Sequence, residues 1–234
     1  MVHKTGCIVC GEELVYLEVE RSLVCYYCGK TSNANASCVN GHYVCDHCHG
    51  NTANDLIERY CSQSIETNPL TMAVELMKSP LIKMHGPEHH FLVPAVLLAA
   101  YHNQRSAPKG DLSHQLAQAR KRAEVVPGGF CGFQGTCGAA IGTGIFLSVV
   151  TQSTPVSKEP WRLSNLLTAE TLRVIAEHGG PRCCKRDTFL ALLTAVEFMR
   201  KHFGAAWKVE MPVICTFSAL NKECLLTDCP FYHS

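Results

Sequence analysis

From residue 51 onward the apolar positions recur at helical spacing. Leu56, Ile57, Tyr60, Cys61 and Ile65 fall on one face of a first helix, Cys61 either a small buried hydrophobe or a thiol in use. Asn68-Pro69 supplies a cap and a first helical residue for LTMAVELMKS, which stops before Pro80. FLVPAVLLAAYHNQR is apolar nearly all round, a pattern that belongs inside a bundle, with Pro94 as a kink point and His102 as a polar residue meeting the surface. DLSHQLAQARKRAEVV predicts an amphipathic, mostly solvated helix with a basic end at Arg120, Lys121 and Arg122. Ala139 to Val150 predicts another helix, TQSTPVSKEPW a linker, LLTAETLRVIAEHGG a helix closed by glycine, and DTFLALLTAVEFMRKHFG a long amphipathic helix.

The first fifty residues follow a different period. ELVYLEVERSLV alternates and is rich in β-branched residues, which predicts a hairpin. The expected architecture is mainly α: a helical bundle core over 51–210, a small β-containing zinc-ribbon or cross-brace module over 1–50, and a zinc-finger-like tail over 211–234.

Composition sharpens this picture. The 234 residues are 47% apolar, enough for a real core. A net charge of +1 with 18% charged residues argues against bulk attraction to nucleic acid or an anionic membrane. The longest apolar runs fall short of the roughly 20 residues that cross a bilayer. Fifteen cysteines cannot all pair internally, and MVHKTGCIVCGEE carries no apolar signal segment. The expectation is a soluble protein of the reducing cytoplasm, where clustered cysteines are metal ligands or redox thiols.

Ligand spacing is sharpest at the N-terminus. Cys7-x2-Cys10 and Cys25-x2-Cys28 have zinc-ribbon spacing, since two knuckles complete the tetrahedron that structural zinc prefers. Cys38-x3-His42-x2-Cys45-x2-Cys48 adds a second set, and the four pairs fit either two consecutive sites or an interleaved cross-brace. A four-thiolate site also accepts iron. CVNGHYVCDHC resembles part of a RING-type cross-brace, but the pair that should follow Cys48 is missing, so no ubiquitin-ligase activity is carried over.

Three further stretches carry candidate chemistry. MHGPEHH places Glu88, His89 and His90 in the first turn of a helix begun at Gly86-Pro87, where imidazoles and a carboxylate could converge on a metal or move a proton. Glu88 complementing the dipole, with the histidines as capping groups, is the plainer alternative. GGFCGFQGTCGAAIGTG, Gly128 to Gly144, holds Cys131 and Cys137 among seven glycines. It lacks the Lys-Ser/Thr ending of a P-loop and reads as a thiol loop, with Gly135 and Gly138 allowing close approach of a bound group. Cys183 and Cys184 open a helix beside Arg182, Lys185 and Arg186, where dipole and charge favour thiolates.

The tail, Cys215-x8-Cys224-x4-Cys229-x3-His233, is similar to a CCCH zinc finger, with a middle spacing one residue short. Phe217, Phe231 and Tyr232 are the aromatics that could stack on single-stranded RNA. Alternatively, three of these cysteines hold an iron–sulfur cluster, or the tail pins the terminus onto the body.

Two family resemblances follow from these motifs. The glycine loop, Cys137-Gly-Ala-Ala, Cys61-Ser-Gln-Ser and the later cysteines are similar to the redox-active family named for its Cys, GCAxxG, Cys, Cys pattern. That implies a helical body whose thiols act on electrons or metal. MHGPEHHFLVPAVLL, CGFQGTCGAAIGTG, GGPRCCKR and CPFYH together resemble an uncharacterised archaeal and bacterial domain family, some of whose members appear fused to SAM-dependent methyltransferases. A methyltransferase or a redox partner is the implied associate; the chain has no GxGxG strand–turn–helix of its own for SAM.

The leading expectation is a redox or sulfur- and metal-handling protein. In it Cys131, Cys137, Cys183 and Cys184 converge on an iron–sulfur cluster, metal or thiol pair, and His85, Glu88, His89 and His90 line the same pocket. The rival expectation is a zinc-finger adaptor for RNA or a partner protein such as a methyltransferase.

Overall fold

The structure, a computed structural model, describes residues 7, 9–10, 12–45, 53–105, 109–205, 207–209 and 212–233. Strands β1 (Leu14–Val24) and β2 (Thr31–Cys38) pair antiparallel, Leu14 opposite Cys38 and Val24 opposite Thr31, with a register shift between Tyr16 and Arg21. The hairpin expected within ELVYLEVERSLV is instead a single strand. That segment holds no Gly, Pro, Asn or Asp on which to turn. The reversal falls on the next residues, where Cys25 N–H donates to Lys30 O (2.9 Å) and Gly29 N–H to Cys25 O (2.9 Å).

Eight α-helices follow among the described residues: α1 (Ala53–Gln63), α2 (Pro69–Met77), α3 (Glu88–Arg105), α4 (Lys109–Glu124), α5 (Phe130–Phe133), α6 (Gly138–Val150), α7 (Glu159–Glu177) and α8 (Cys184–Phe203). The cap expected at Asn68 is present, its Oδ1 accepting the N–H of Leu70 at 3.0 Å and of Thr71 at 3.4 Å. α7 starts at Glu159, ahead of its apolar pattern, because Pro160 fits its first turn. Gly204 closes α8 in the left-handed conformation.

α3 is the hub. Every residue from Glu88 to Ala100 is buried, and the helix packs against α1, α2, α4, α6 and α8. His102 is buried rather than at the surface, because α4 covers that end of α3 and brings Gln115 Oε1 to 2.8 Å from its Nε2. α6 lies against α3 so closely that a Cβ at Gly142 would sit 3.0 Å from His90 O, Pro94 Cδ and Val93 Cβ.

The C-terminal segment shares this core. Val213, Phe217 and Phe231 are buried in it, and Phe231 meets Phe189 of α8 edge-on at 5.2 Å. Two of the three aromatics suggested for base stacking are therefore inside. The N-terminal module has its own small core of Cys7, Val9 and Cys38, bridged to the body by Tyr27, whose hydroxyl lies 3.0 Å from Ser79 Oγ. Among the described residues no helix is long and apolar enough to cross a membrane.

The α3–α6 approach sets a measurable requirement. Gly142→Ala is expected to lower the unfolding free energy by about 1–3 kcal/mol through overpacking. Gly128→Ala, whose added methyl meets nothing within 4 Å, should stay within about 0.5 kcal/mol of the parent. Chemical denaturation of the two variants reads both.

Candidate metal centres and thiol pocket

The hairpin brings distant cysteine pairs together. Cys7, Cys10, Cys38 and His42 place their ligand atoms within 4.8 Å of one another, and so do Cys25, Cys28 and Cys45. Cys48 lies outside the described residues. The pairs alternate along the chain, 7/10 with 38/42 and 25/28 with 45, so the arrangement is a cross-brace. The zinc-ribbon pairing of Cys7 and Cys10 with Cys25 and Cys28 does not occur, because β1 carries the two knuckles to opposite ends of the hairpin.

The spacing suits a small tetrahedral ion. Bonds of about 2.3 Å put neighbouring sulfurs about 3.8 Å apart; Cys10 Sγ to Cys38 Sγ and Cys28 Sγ to Cys45 Sγ are each 3.8 Å. His42 presents Nδ1, 3.3 Å from both Cys10 and Cys38 Sγ. The backbone N–H of Val9 donates to Cys7 Sγ at 3.4 Å and that of Asn40 to Cys38 Sγ at 3.3 Å, bonds that favour thiolate. At Cys25 burial opposes ionisation, but N–H donors from Cys45, Cys28 and Tyr27 prevail and bring the thiol down to about 6.

A cavity of about 150 Å³ gathers most of the central candidates: Cys131 from α5, Cys137 at the N-cap of α6, Cys184 from α8, and His85, His89 and His90. Asp187, outside the sequence-predicted set, joins them, with Cys137 Sγ 3.9 Å from its Oδ2. It stands one helical turn beyond Cys184 on α8, an i, i+3 spacing visible in RCCKRD. A wider cavity of about 740 Å³ adjoins, where Cys131, Cys137 and Arg182 face Leu172 and Ile175 of α7. Gly135 lines this wider space, and Gly138 lets α6 approach α3 so closely that a Cβ there would lie 2.1 Å from the His90 ring.

The thiols are not activated as their cationic neighbours suggested. Burial, then the Asp187 carboxylate, push Cys137 up to about 12. Burial likewise raises Cys184, to about 11, and Cys183. Arg182 lines the cavity with Cys184, but the other two cations are committed to other partners. Lys185 is buried, donating to Met77 O (2.9 Å) and Ile82 O (3.2 Å), and Arg186 pairs with Asp187 (3.1 Å) while donating to Gly179 O (2.8 Å).

The histidine stretch is structural in its contacts. Glu88 Oε1 accepts the Lys83 N–H at 2.7 Å, capping the loop before α3. His89 has both ring nitrogens engaged, Nδ1 at 3.0 Å from Thr188 Oγ1 and Nε2 at 3.0 Å from Lys83 O. Burial lowers it to about 3, so the ring stays neutral near pH 7 and is not poised to exchange a proton there, and with both nitrogens engaged it has none free for a metal. His90 Nδ1 meets Val126 O at 3.1 Å. His85 turns toward the tail, Nε2 3.2 Å from Asn221 Oδ1.

Cys183 does not join the central cavity. It faces the other way, into an apolar cavity shared with Cys215, Cys224 and Cys229. Of the expected CCCH set, the three cysteines line that cavity, and His233 is exposed and not part of its lining. Cys61 is fully buried in the core.

His89 makes stability depend on acid. The unfolded chain takes up a proton near pH 6.5 and the native ring only near 3, so stability falls as the pH drops through that interval, approaching about 1.4 kcal/mol per unit for this group. Urea titrations from pH 7 to 4 should show the loss, and the His89 ring signals should not titrate between pH 5 and 8.

No curated protein and no solved structure matches the chain. The model of a family of unknown function, DUF5714, matches residues 57–232, which take in the helical body, the thiol pocket and the C-terminal cysteines. The chain belongs to that family.

Proposed function

We propose that the protein is a metal- and thiol-dependent redox or sulfur-handling protein of the cytoplasm, with the pocket of Cys131, Cys137 and Cys184 as its working site. One observation carries this reading: three thiols from three separate helices, with Asp187, face one cavity. Packing alone does not call for that many polarisable and ionisable groups together.

The raised thiols decide how such a site works. At Cys137 and Cys184 the proton is held by burial and by a neighbouring carboxylate, so the bare thiols are poor nucleophiles at neutral pH. A soft cation that draws the thiols closer than they stand here, where no three of the ligand atoms lie within 4.8 Å of one another, takes the place of those protons and stabilises the thiolates. That makes the chemistry metal-dependent rather than that of free thiols. The adjoining cavity of about 740 Å³ gives a small substrate access to Cys131 and Cys137 between the apolar side chains of α7 and Arg182.

The N-terminal module has a structural role in this reading, its Cys/His sites holding zinc. Closed four-ligand sites of soft donors leave no open position for substrate.

Metal analysis of the anaerobically purified chain is expected to find metal beyond the zinc of the N-terminal module. Cys137→Ser should lose about one equivalent of the additional metal and should exchange fewer thiols per chain with a small disulfide than the parent. Unchanged metal content together with unchanged thiol exchange in both Cys137→Ser and Cys184→Ser would sink the reading.

A further inference from the structure

The wider cavity beside the thiol pocket is built to hold a ligand. At about 740 Å³ it falls within the roughly 300–1,000 Å³ of small-molecule sites. Leu172, Ile175 and Ala176 line it from one face of α7, at i, i+3 and i+4, and Phe133 at the end of α5 lines it while 87% exposed. We propose that this cavity binds a small organic oxyanion, with an apolar body against Phe133 and α7 and its charged end on Arg182. Calling that ligand the substrate rests on the thiol-site function proposed above; its binding does not.

Charge sets the sign of the ligand. Three arginines and one carboxylate line the cavity: Arg173, Arg182, Arg186 and Asp187. The Asp187 carboxylate is met by Arg186 at 3.1 Å, both side chains being buried. Arg173 is paired with Glu177 at 2.7 Å. Arg182 has neither an ion pair nor a hydrogen bond among the described residues, and it lines the thiol pocket as well. The uncompensated charge of the lining is therefore one guanidinium, placed where the two cavities meet. A guanidinium offers two parallel N–H donors to a carboxylate or phosphate and stays charged at any physiological pH. On a convex surface water would screen it, whereas in a concave site beside an apolar wall its field reaches a bound anion more strongly.

The backbone leaves room for that ligand. Five glycines line the cavity. At Gly132, inside α5, φ is not left-handed and an added Cβ would meet nothing within 4 Å, so neither conformation nor packing within the protein asks for glycine there. A missing side chain lets a bound group come close to the main chain. Cys131 and Cys137 line the same cavity, so the anion would share its space with two thiols.

The test is a titration of the full-length chain with naphthoate, naphthyl phosphate and the neutral naphthamide, read by calorimetry and by the amide NMR shifts of Gly129, Gly132 and Gly135. At least one of the anions should bind about tenfold more tightly than naphthamide, and their order tells a carboxylate from a phosphate head group. Arg182→Gln should abolish that preference, while Arg21→Gln, on β1 of the N-terminal module, keeps it. Gly132→Val should weaken all three ligands by filling their space. Anions that bind no better than naphthamide, a preference lost equally in Arg182→Gln and Arg21→Gln, or shifts that bypass these glycines would overturn the assignment. The titration reads neither metal nor thiol exchange, so failure of the thiol-site function shows in the cysteine variants and failure of this inference in the parent's own binding.

Discussion

The fold rests on one helix that has no solvent face until its last turn. With α3 buried from Glu88 to Ala100, five helices must surround it, and each polar group at its N-terminal end needs a partner inside the protein. Those partners come from the neighbouring loop, from α8 and from the segment before α5: Lys83 for Glu88 and His89, Thr188 for His89, Val126 for His90. Satisfying α3 therefore brings the starts of α6 and α8 to one place, and with them Cys137 and Cys184. The pocket is a consequence of where α3 begins.

The same constraint overturns a local expectation about charge. Arg182, Lys185 and Arg186 flank two thiols at a helix start, which by sequence alone favours thiolates. In the folded chain Lys185 is used to satisfy the carbonyls of Met77 and Ile82, and Arg186 to bind Asp187 and the loop carbonyl of Gly179. The charge of Lys185 and Arg186 secures loops, Arg182 stays beside Cys184, and the desolvation of Cys184 still prevails. A cysteine's reactivity depends on where nearby cations point, which spacing along a chain does not contain.

Much of the fold was legible because its signals are local. Helical periodicity, the Asn68-Pro69 cap and the all-round apolar stretch of α3 report on nearest neighbours along the chain, and they located these elements. The cysteine pairs were equally visible, but their partners were not. Whether Cys7 and Cys10 join Cys25 and Cys28 or Cys38 and His42 depends on how long a strand separates the knuckles, and β1 proved to be one strand rather than two. His102 was misplaced for a related reason: its surroundings come from α4, and no property of α3 records them.

The pair Cys183–Cys184 carries the deepest consequence of that limit. Read as a unit, two adjacent thiols suggest one site. Cys183 is the N-cap of α8, in extended backbone, while Cys184 is the first residue of the helix proper. The change of conformation between them aims successive side chains at opposite sides of the helix start. One backbone link thereby joins the thiol-lined central cavity, with its wider neighbour, to a small apolar cavity ringed by four part-exposed cysteines. The doubled cysteine is therefore a junction between two cavities rather than a pair, and spacing along the chain, which shows two adjacent thiols, does not contain that division.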